Sequence, residues 1–125
     1  MKKDKKELVF LKFAGRCAYS GTILENSWQI DHLISKRLGG SDNLDNLVPT
    51  QKIINHYKRA LSLNDFRNLW LGGLHKRLAK LPKNPRTEKG IKRKEYLLTI
   101  AKYFGITKDS PFSGKFYFEF ELGRK

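Results

Sequence analysis

An acid and a histidine stand side by side at Asp31 and His32, directly after the run SWQI. Two asparagines follow, Asn46 after a glycine-rich stretch and Asn55 further along the chain. A neutral imidazole suits a general base because its pKa lies near working pH. Asp and Asn oxygens are hard ligands that suit Mg²⁺ or Mn²⁺ better than Zn²⁺. These residue types therefore permit proton transfer beside a divalent cation.

Each of the four residues also has a structural interpretation. His32 alone would be read as a hydrogen-bonded core histidine, and Asp31 as a turn acid. Asn46 could simply satisfy backbone groups of the loop. Asn55 is mildly unfavourable inside a helix, which favours a functional role for it. The co-occurrence of all four in order favours the functional interpretation.

The surrounding sequence predicts the elements that position these residues. Residues 27–34 alternate enough to predict a β-strand, which carries the acid and the histidine. The stretch 35–46 holds two glycines and several Asn, Asp and Ser, which is typical of a loop. Residues 47–49 predict a second short strand, and Thr50 is the predicted N-cap of a helix over 51–61. The buried stripe of that helix is predicted to comprise Ile54, Tyr57 and Leu61.

The ordered pattern D-H, then G-G-x-x-x-x-x-N-L, then N-x-x-K closely resembles the HNH endonuclease family over roughly residues 15–59. The resemblance implies a ββα-metal core and metal-dependent hydrolysis of phosphodiester bonds, leaving 5′-phosphate and 3′-hydroxyl ends. It places His32 as the general base, with Asp31 and Asn55 as ligands of a single Mg²⁺ or Mn²⁺. It gives Asn46 the role of tying down the loop and helping to orient the histidine.

Strand geometry restricts how these residues can share a site. Neighbours on a regular strand point to opposite faces, so Asp31 and His32 can cooperate in two ways. Either the strand ends or bulges there, or the base and the cation approach a phosphate from different sides, as in-line attack requires. On the helix, Asn55 lies about 100° from Ile54 and can face the site while Ile54 packs inward. His56 turns away from Asn55, which predicts a surface or DNA-facing role for it.

The cysteine content departs from the family pattern. Many HNH proteins bind a structural zinc through two C-x-x-C pairs, whereas this chain has only Cys17, with Ser20 where a partner might stand. No structural zinc and no disulfide within the chain are therefore expected, and Cys17 is predicted to be a small buried residue. Packing should hold the core instead, through Trp28, Phe13 and Tyr19.

The remainder of the chain predicts an extension beside this core. Residues 63–81 predict a helix that Gly72 and Gly73 would weaken or kink. A linker over 82–90 precedes a helix over 91–105 that ends at Gly105, and 114–122 alternate like a strand, more often core than a base-stacking platform. The predicted class is α+β, with a ββα-metal (HNH) core and a mostly helical basic C-terminal extension. The predicted parts are a basic arm or helix (1–14), the nuclease core (15–61), and a DNA-contacting, core-supporting extension (62–125).

The strongest composition signal is charge. The chain has 26 Lys and Arg against 12 Asp and Glu, a formal charge of +14, which attracts polyanions. Nucleic acid is the first candidate partner, double-stranded DNA above all, and a membrane surface is the weakest. The segment 75–94 is a predicted phosphate-tracking surface, within which His75 should be solvated. The residues predicted to contact nucleic acid are Lys36, Arg37, Lys58, Arg59, Lys76, Arg77, Lys80, Lys92 and Arg93.

Several alternatives stay open. A non-catalytic nucleic-acid-binding module and an RNase share the basic composition, and a restriction enzyme or a phage or mobile-element nuclease would share the core. A monomer has one site and would nick, whereas a symmetric homodimer could cut both strands. Without a signal-peptide core or an apolar run long enough to span a bilayer, a cytoplasmic location is expected.

Overall fold

The computed structural model describes residues 4–123, with side chains up to residue 120. Residues 1–3 of the predicted basic arm 1–14 lie outside this range. The chain divides into two compact units, residues 1–63 with 115–125, and residues 64–114. Helices accompany a two-stranded antiparallel sheet, so the α+β class is confirmed at that level. No helix among the described residues has the length and apolar character needed to cross a membrane.

The first unit contains the predicted strand–loop–strand–helix order. Its elements are α1 (Lys5–Leu11), β1 (Gln29–His32), β2 (Leu47–Thr50) and α2 (Lys52–Lys58). The strand predicted over 27–34 is shorter because the backbone of Ile34 bonds to the Asn46 side chain. The Thr50 N-cap prediction is wrong: Thr50 lies in β2, and Gln51 is the N-cap residue. Arg59 ends α2 with φ of 55°, so the helix is shorter than predicted.

The core of the first unit collects the buried side chains of several elements. Tyr19 and Cys17 are buried, as predicted, and so are Ile54 and Tyr57 of the predicted stripe. Leu61, which lies beyond the end of α2, is only half-buried, and so are the two remaining predicted core residues. Those partly buried core residues are Phe13, which packs edge-on against Tyr117, and Trp28, which packs against Phe10 and Lys6.

The second unit is helical. A short turn, α3 (Leu63–Asp65), precedes a π-helical segment (Phe66–Leu71), α4 (Leu74–Lys80) and α5 (Glu88–Phe104). The helix predicted over 63–81 is thus interrupted at Gly72 and Gly73. The helix predicted from 91 begins earlier, because Thr87 accepts a hydrogen bond from the Gly90 amide and caps it within the predicted linker. Its end at Gly105, with φ of 67°, is confirmed.

The late strand predicted over 114–122 is wrong, since the chain forms α6 (Tyr117–Gly123) there. The first two backbone amides of α6 bond to a distant turn, Tyr117 N to Tyr19 O and Phe118 N to Ala18 O. Glu119 then accepts from Phe116 N and starts the helical turn. Phe116 and Phe118 pack against the Tyr19 ring, so the run is core, as expected, although it is not a strand. Residues 115–125 group with the first unit.

Candidate active site

The regular pairing of β1 with β2 separates the candidate residues into two sets. Asp31 pairs with Val48 and His32 with Leu47, without a bulge. The side chains of Asp31 and Gln29 therefore share one face of β1, and His32 lies on the other. On the first face, the side chains of Asp31 and Gln29 contact helix α2.

Helix α2 packs two polar side chains against the Asp31 face of β1. Asn55 Nδ2 donates to Gln29 Oε1 at 2.8 Å, and Lys58 Nζ lies 3.1 Å from Asp31 Oδ2. Gln29 and Asp31 are two residues apart on the strand, and Asn55 and Lys58 are one helical turn apart. The structure thus brings the two predicted cation ligands, Asp31 and Asn55, to one strand–helix interface.

Asp31 is a buried carboxylate with strong partners. Its Oδ2 accepts a hydrogen bond from Tyr19 Oη at 2.5 Å as well as the bond from Lys58. Burial, followed by the charge of Asp31 and the hydrogen bond to it, raises the pKa of Tyr19 well above its usual value. Tyr19 therefore stays a neutral donor at physiological pH and holds the carboxylate in place.

Lys58 overturns one sequence-based prediction. It was expected to contact a nucleic-acid backbone, yet its side chain is fully buried. Its ammonium bonds to Asp31 Oδ2 and donates to His32 O at 3.2 Å. A buried charge needs such a partner because desolvation otherwise costs several kcal/mol. Lys58 is therefore an internal counter-ion that joins α2 to β1, and no phosphate can reach it.

His32 occupies the opposite face of β1, at the protein surface. Its side chain is 27% exposed, and Nε2 lies 2.9 Å from Asp42 Oδ1 in the following loop. Lys36 holds the other carboxylate oxygen of Asp42 at 3.1 Å. The hydrogen bond from His32, followed by those to Lys36, lowers the pKa of Asp42. The loop thus offers the imidazole an ionised carboxylate at neutral pH.

Asn46 ties down the loop that follows β1, as predicted. Its Oδ1 accepts from Ile34 N at 2.9 Å, while Nδ2 donates to Ile34 O and Ser41 O at 3.0 and 2.8 Å. Gly40 permits this clamp, because a Cβ there would lie 1.7 Å from Ile34 O. The backbone bond from Leu33 N to Asn46 O continues the tie beside His32. The clamp therefore holds the chain on both sides of the Asp42 loop.

The remaining oxygens of the strand–helix interface suit a divalent cation chemically. Among the described residues, Asp31 Oδ1 and Asn55 Oδ1 accept no hydrogen bond, and both are hard oxygen donors. No group of three His, Cys, Asp or Glu side chains in the described part of the chain could hold a metal. Two such oxygens leave room for water and phosphate ligands, but Lys58 already offsets the charge of Asp31. Carboxylate and amide oxygens are the ligand types that Mg²⁺ and Mn²⁺ prefer.

Most of the predicted nucleic-acid contacts are exposed basic side chains, and two are committed elsewhere, the buried Lys58 and Arg77. Arg77 donates through NH1 to Leu69 O and through NH2 to Trp70 O, and its guanidinium lies 5.9 Å from the Trp70 ring. It therefore holds the last carbonyls of the π-helical segment instead of facing solvent freely. The exposed members of the predicted set are Lys36, Arg37, Arg59, Lys76, Lys80, Lys92 and Arg93.

Three neighbours of the candidate residues were not predicted to belong to the site, although Tyr19 was predicted to lie in the core. Gln29 shares the strand face of Asp31 two residues away, so period-2 alternation could have identified it. Asp42 lies in the glycine-rich loop, where its type alone suggests only a turn residue. Tyr19 comes from a distant turn, and no local pattern connects it with Asp31.

Comparison with known proteins gives no assignment. No family model matches the chain, and no curated protein or solved structure is significantly similar to it.

Proposed function

We propose that this protein is a metal-dependent endonuclease of the HNH type that hydrolyses phosphodiester bonds in DNA. The observation that carries the proposal is the antiparallel β1–β2 pair followed by α2. Asp31 and His32 lie on β1, Asn46 directly precedes β2, and Asn55 lies on α2. The net charge of +14 supports a polyanionic substrate. By resemblance to the family, the products carry 5′-phosphate and 3′-hydroxyl ends.

In this proposal, the two faces of β1 serve opposite ends of the scissile bond. His32 takes the proton of an attacking water, because its imidazole is reachable from solvent and lies beside an ionised Asp42. Asp31 and Asn55 would hold Mg²⁺ or Mn²⁺ through their unused oxygens. A bound divalent ion there would neutralise charge that develops on the phosphate oxygens. In-line displacement requires the water and the leaving oxygen to lie on opposite sides, which agrees with this separation.

Other residues of the core hold the candidate site residues in position. Tyr19 and Lys58 fix one oxygen of Asp31 and leave the other facing away from their bonds. Asn46 holds the loop on which Asp42 stands. Exposed basic residues such as Arg37 and Arg59 would contact the phosphate backbone near the cleaved bond.

A non-catalytic nucleic-acid-binding module is the second candidate, and one observation favours it. Lys58 already neutralises Asp31, so the fold does not need a cation to compensate this carboxylate. In that case the basic surface alone would account for binding, and the polar set would be structural. The two candidates differ in their need for metal, since a binder retains its affinity in EDTA.

The test is cleavage of supercoiled plasmid in parallel with Mg²⁺, Mn²⁺ and EDTA, with single-stranded and structured RNA as further substrates. Nicked or linear products only in the metal lanes support the proposal, and end analysis should find 5′-phosphates and 3′-hydroxyls. A plasmid that is shifted on a gel but never cut under any metal contradicts it and supports the binding module. Cleavage of RNA alone would identify an RNase.

The ligand roles need variants that keep the fold. Asp31→Ala leaves the Lys58 ammonium buried without its partner, so lost activity could reflect unfolding. Asp31→Asn combined with Lys58→Met removes both charges together, whereas Asn55→Ala tests the other ligand and leaves the buried ion pair in place. We expect Asn55→Ala and the double variant to need more Mn²⁺ for half-maximal cleavage and to cut more slowly. Unchanged metal dependence would exclude Asn55 as a ligand and would show that the charge of Asp31 is not needed to bind the cation.

A further inference from the structure

The two ring nitrogens of His32 have different surroundings. Nε2 lies 2.9 Å from Asp42 Oδ1. Nδ1 has no hydrogen-bond partner in the described part of the chain, and it is not among the buried polar atoms that lack one. Nδ1 is therefore open to solvent, whereas Nε2 is hydrogen-bonded to Asp42. This asymmetry bears on which nitrogen can act as a base.

We propose that Asp42 is the positioning residue for the base: it holds the hydrogen of His32 on Nε2 and so leaves Nδ1 as the nitrogen that takes the proton from water. This inference rests on the proposed nuclease function, and it adds a residue and a reacting atom to it. The proton moves from water to Nδ1, the resulting hydroxide bonds to phosphorus, and the bond to the leaving 3′-oxygen breaks, after which that oxygen takes a proton from solvent and becomes the 3′-hydroxyl. His32 then carries both ring protons until solvent removes one.

The chemistry of the carboxylate fixes the direction of the hydrogen bond. An ionised carboxylate has only acceptor atoms, so the nitrogen that faces Asp42 must carry the hydrogen. The bond from His32 and the ammonium of Lys36 keep Asp42 ionised, consistent with the lowered pKa of its side chain. In many catalytic sites a carboxylate accepts a hydrogen bond from one ring nitrogen of a histidine and thereby sets its tautomer and its ring orientation.

The loop holds Asp42 in place without burying it. Its side chain is 58% exposed, so the bond to His32 competes with water. The Asn46 side chain bonds to Ser41 O, which is adjacent to Asp42. Ser41 Oγ accepts from Asn43 N on the other side. These two bonds restrain the backbone around Asp42, which reduces the entropy lost when the carboxylate orients His32.

The experiment combines ¹⁵N-detected NMR of the His32 ring with cleavage kinetics, in wild type, Asp42→Ala, Asp42→Asn and Asp45→Ala. In spectra of the neutral imidazole, wild type should show a protonated Nε2 and an unprotonated Nδ1. Asp42→Ala should show shifts that move toward averaged values. Asp42→Asn should also lose the wild-type pattern, because its amide group can donate to Nε2 as well as accept from it. Asp45, an exposed acid of the same loop without a bond to His32, controls for the loss of loop charge.

In the kinetic arm, Asp42→Ala should lower kcat about three- to tenfold, the effect of one exposed hydrogen bond, while KM stays unchanged. A protonated Nδ1 in wild type overturns the inference, and so does an Asp42→Ala variant with wild-type shifts and kcat. If wild type never cuts, the nuclease proposal fails, and Asp42 is reduced to a structural partner of His32. The NMR result separates these failures because it does not require activity.

Discussion

Replacement of Lys58 by methionine should destabilise the first unit strongly. Lys58 is fully buried, and its ammonium holds Asp31 Oδ2 at 3.1 Å and His32 O at 3.2 Å. Methionine fills a similar volume, but it leaves a largely buried carboxylate with Tyr19 as its one remaining donor among the described residues. Breaking a buried ion pair from one side costs about 3–5 kcal/mol. Because Asp31 keeps the tyrosine and is 10% exposed, we expect about 3 kcal/mol.

A double-mutant cycle separates this effect from general loss of packing. Lys58→Met with Asp31→Asn removes both charges, and such replacements of a buried pair are often close to neutral, within about 1 kcal/mol. The coupling energy between the two sites should therefore be at least about 2 kcal/mol, and any cost of Asp31→Asn alone increases it. Lys52→Met, at an exposed position of the same helix, is the matched control and should change stability by less than about 0.5 kcal/mol.

Urea unfolding followed by tryptophan fluorescence measures these values. Trp28 belongs to the first unit and Trp70 to the second, so a Trp70→Phe background makes the signal report on the unit that contains Lys58. With a slope of about 1.5 kcal/mol per molar urea, the single variant should lower the midpoint by roughly 2 M. If Lys58→Met behaves like Lys52→Met, the ammonium is not buried against Asp31, and the account of this interface is wrong.

Three further predictions concern the phenol, the loop clamp and the basic surface. The raised pKa of Tyr19 means that its neutral form contributes stability below about pH 10, which is lost as pH rises through the folded-state pKa. The stability of wild type should therefore fall more steeply above about pH 10 than that of Tyr19→Phe in urea titrations, and parallel curves would contradict this. Asn46→Ala removes three side-chain hydrogen bonds and should cost about 2–3 kcal/mol by the same assay, whereas a cost below about 1 kcal/mol would refute the clamp. Lys92→Gln with Arg93→Gln should reduce the slope of log K against log salt for DNA binding by about 1–2, and an unchanged slope would place the DNA elsewhere.

Short-range patterns were sufficient to predict the elements around the candidate site. The alternation before His32, the glycine-rich loop and the helical spacing of Ile54 and Tyr57 depend on local sequence, and the structure contains the corresponding strands and helix. The cap of α5 at Gly105 likewise needs only one residue that tolerates positive φ. The bounds differ by a few residues because long-range bonds, such as those from Asn46 to Ile34, decide where the ladder ends.

Long-range contacts explain what the sequence did not predict. The alternating aromatics of α6 favour a strand locally, but the carbonyls of Ala18 and Tyr19 accept from the first two backbone N–H groups of α6, which a helix leaves without internal partners. Lys58 was assigned to the surface because of its charge, although it lies four residues after Ile54 and thus on the buried face. Its partner Asp31 is far away in sequence, and only the packing of α2 on β1 reveals the pair.

The role of His32 as the base of a metal-dependent nuclease is tested by comparing the cleavage rates of three proteins. Initial rates of plasmid cleavage in Mg²⁺ are measured for wild type, His32→Ala and His56→Ala, with DNA affinity measured by gel shift for each. His56 is an exposed histidine of α2 and controls for loss of an imidazole near the site. We expect His32→Ala to lose cleavage by at least about a hundredfold with nearly unchanged affinity, while His56→Ala keeps cutting. Cleavage by His32→Ala at the wild-type rate would contradict the account.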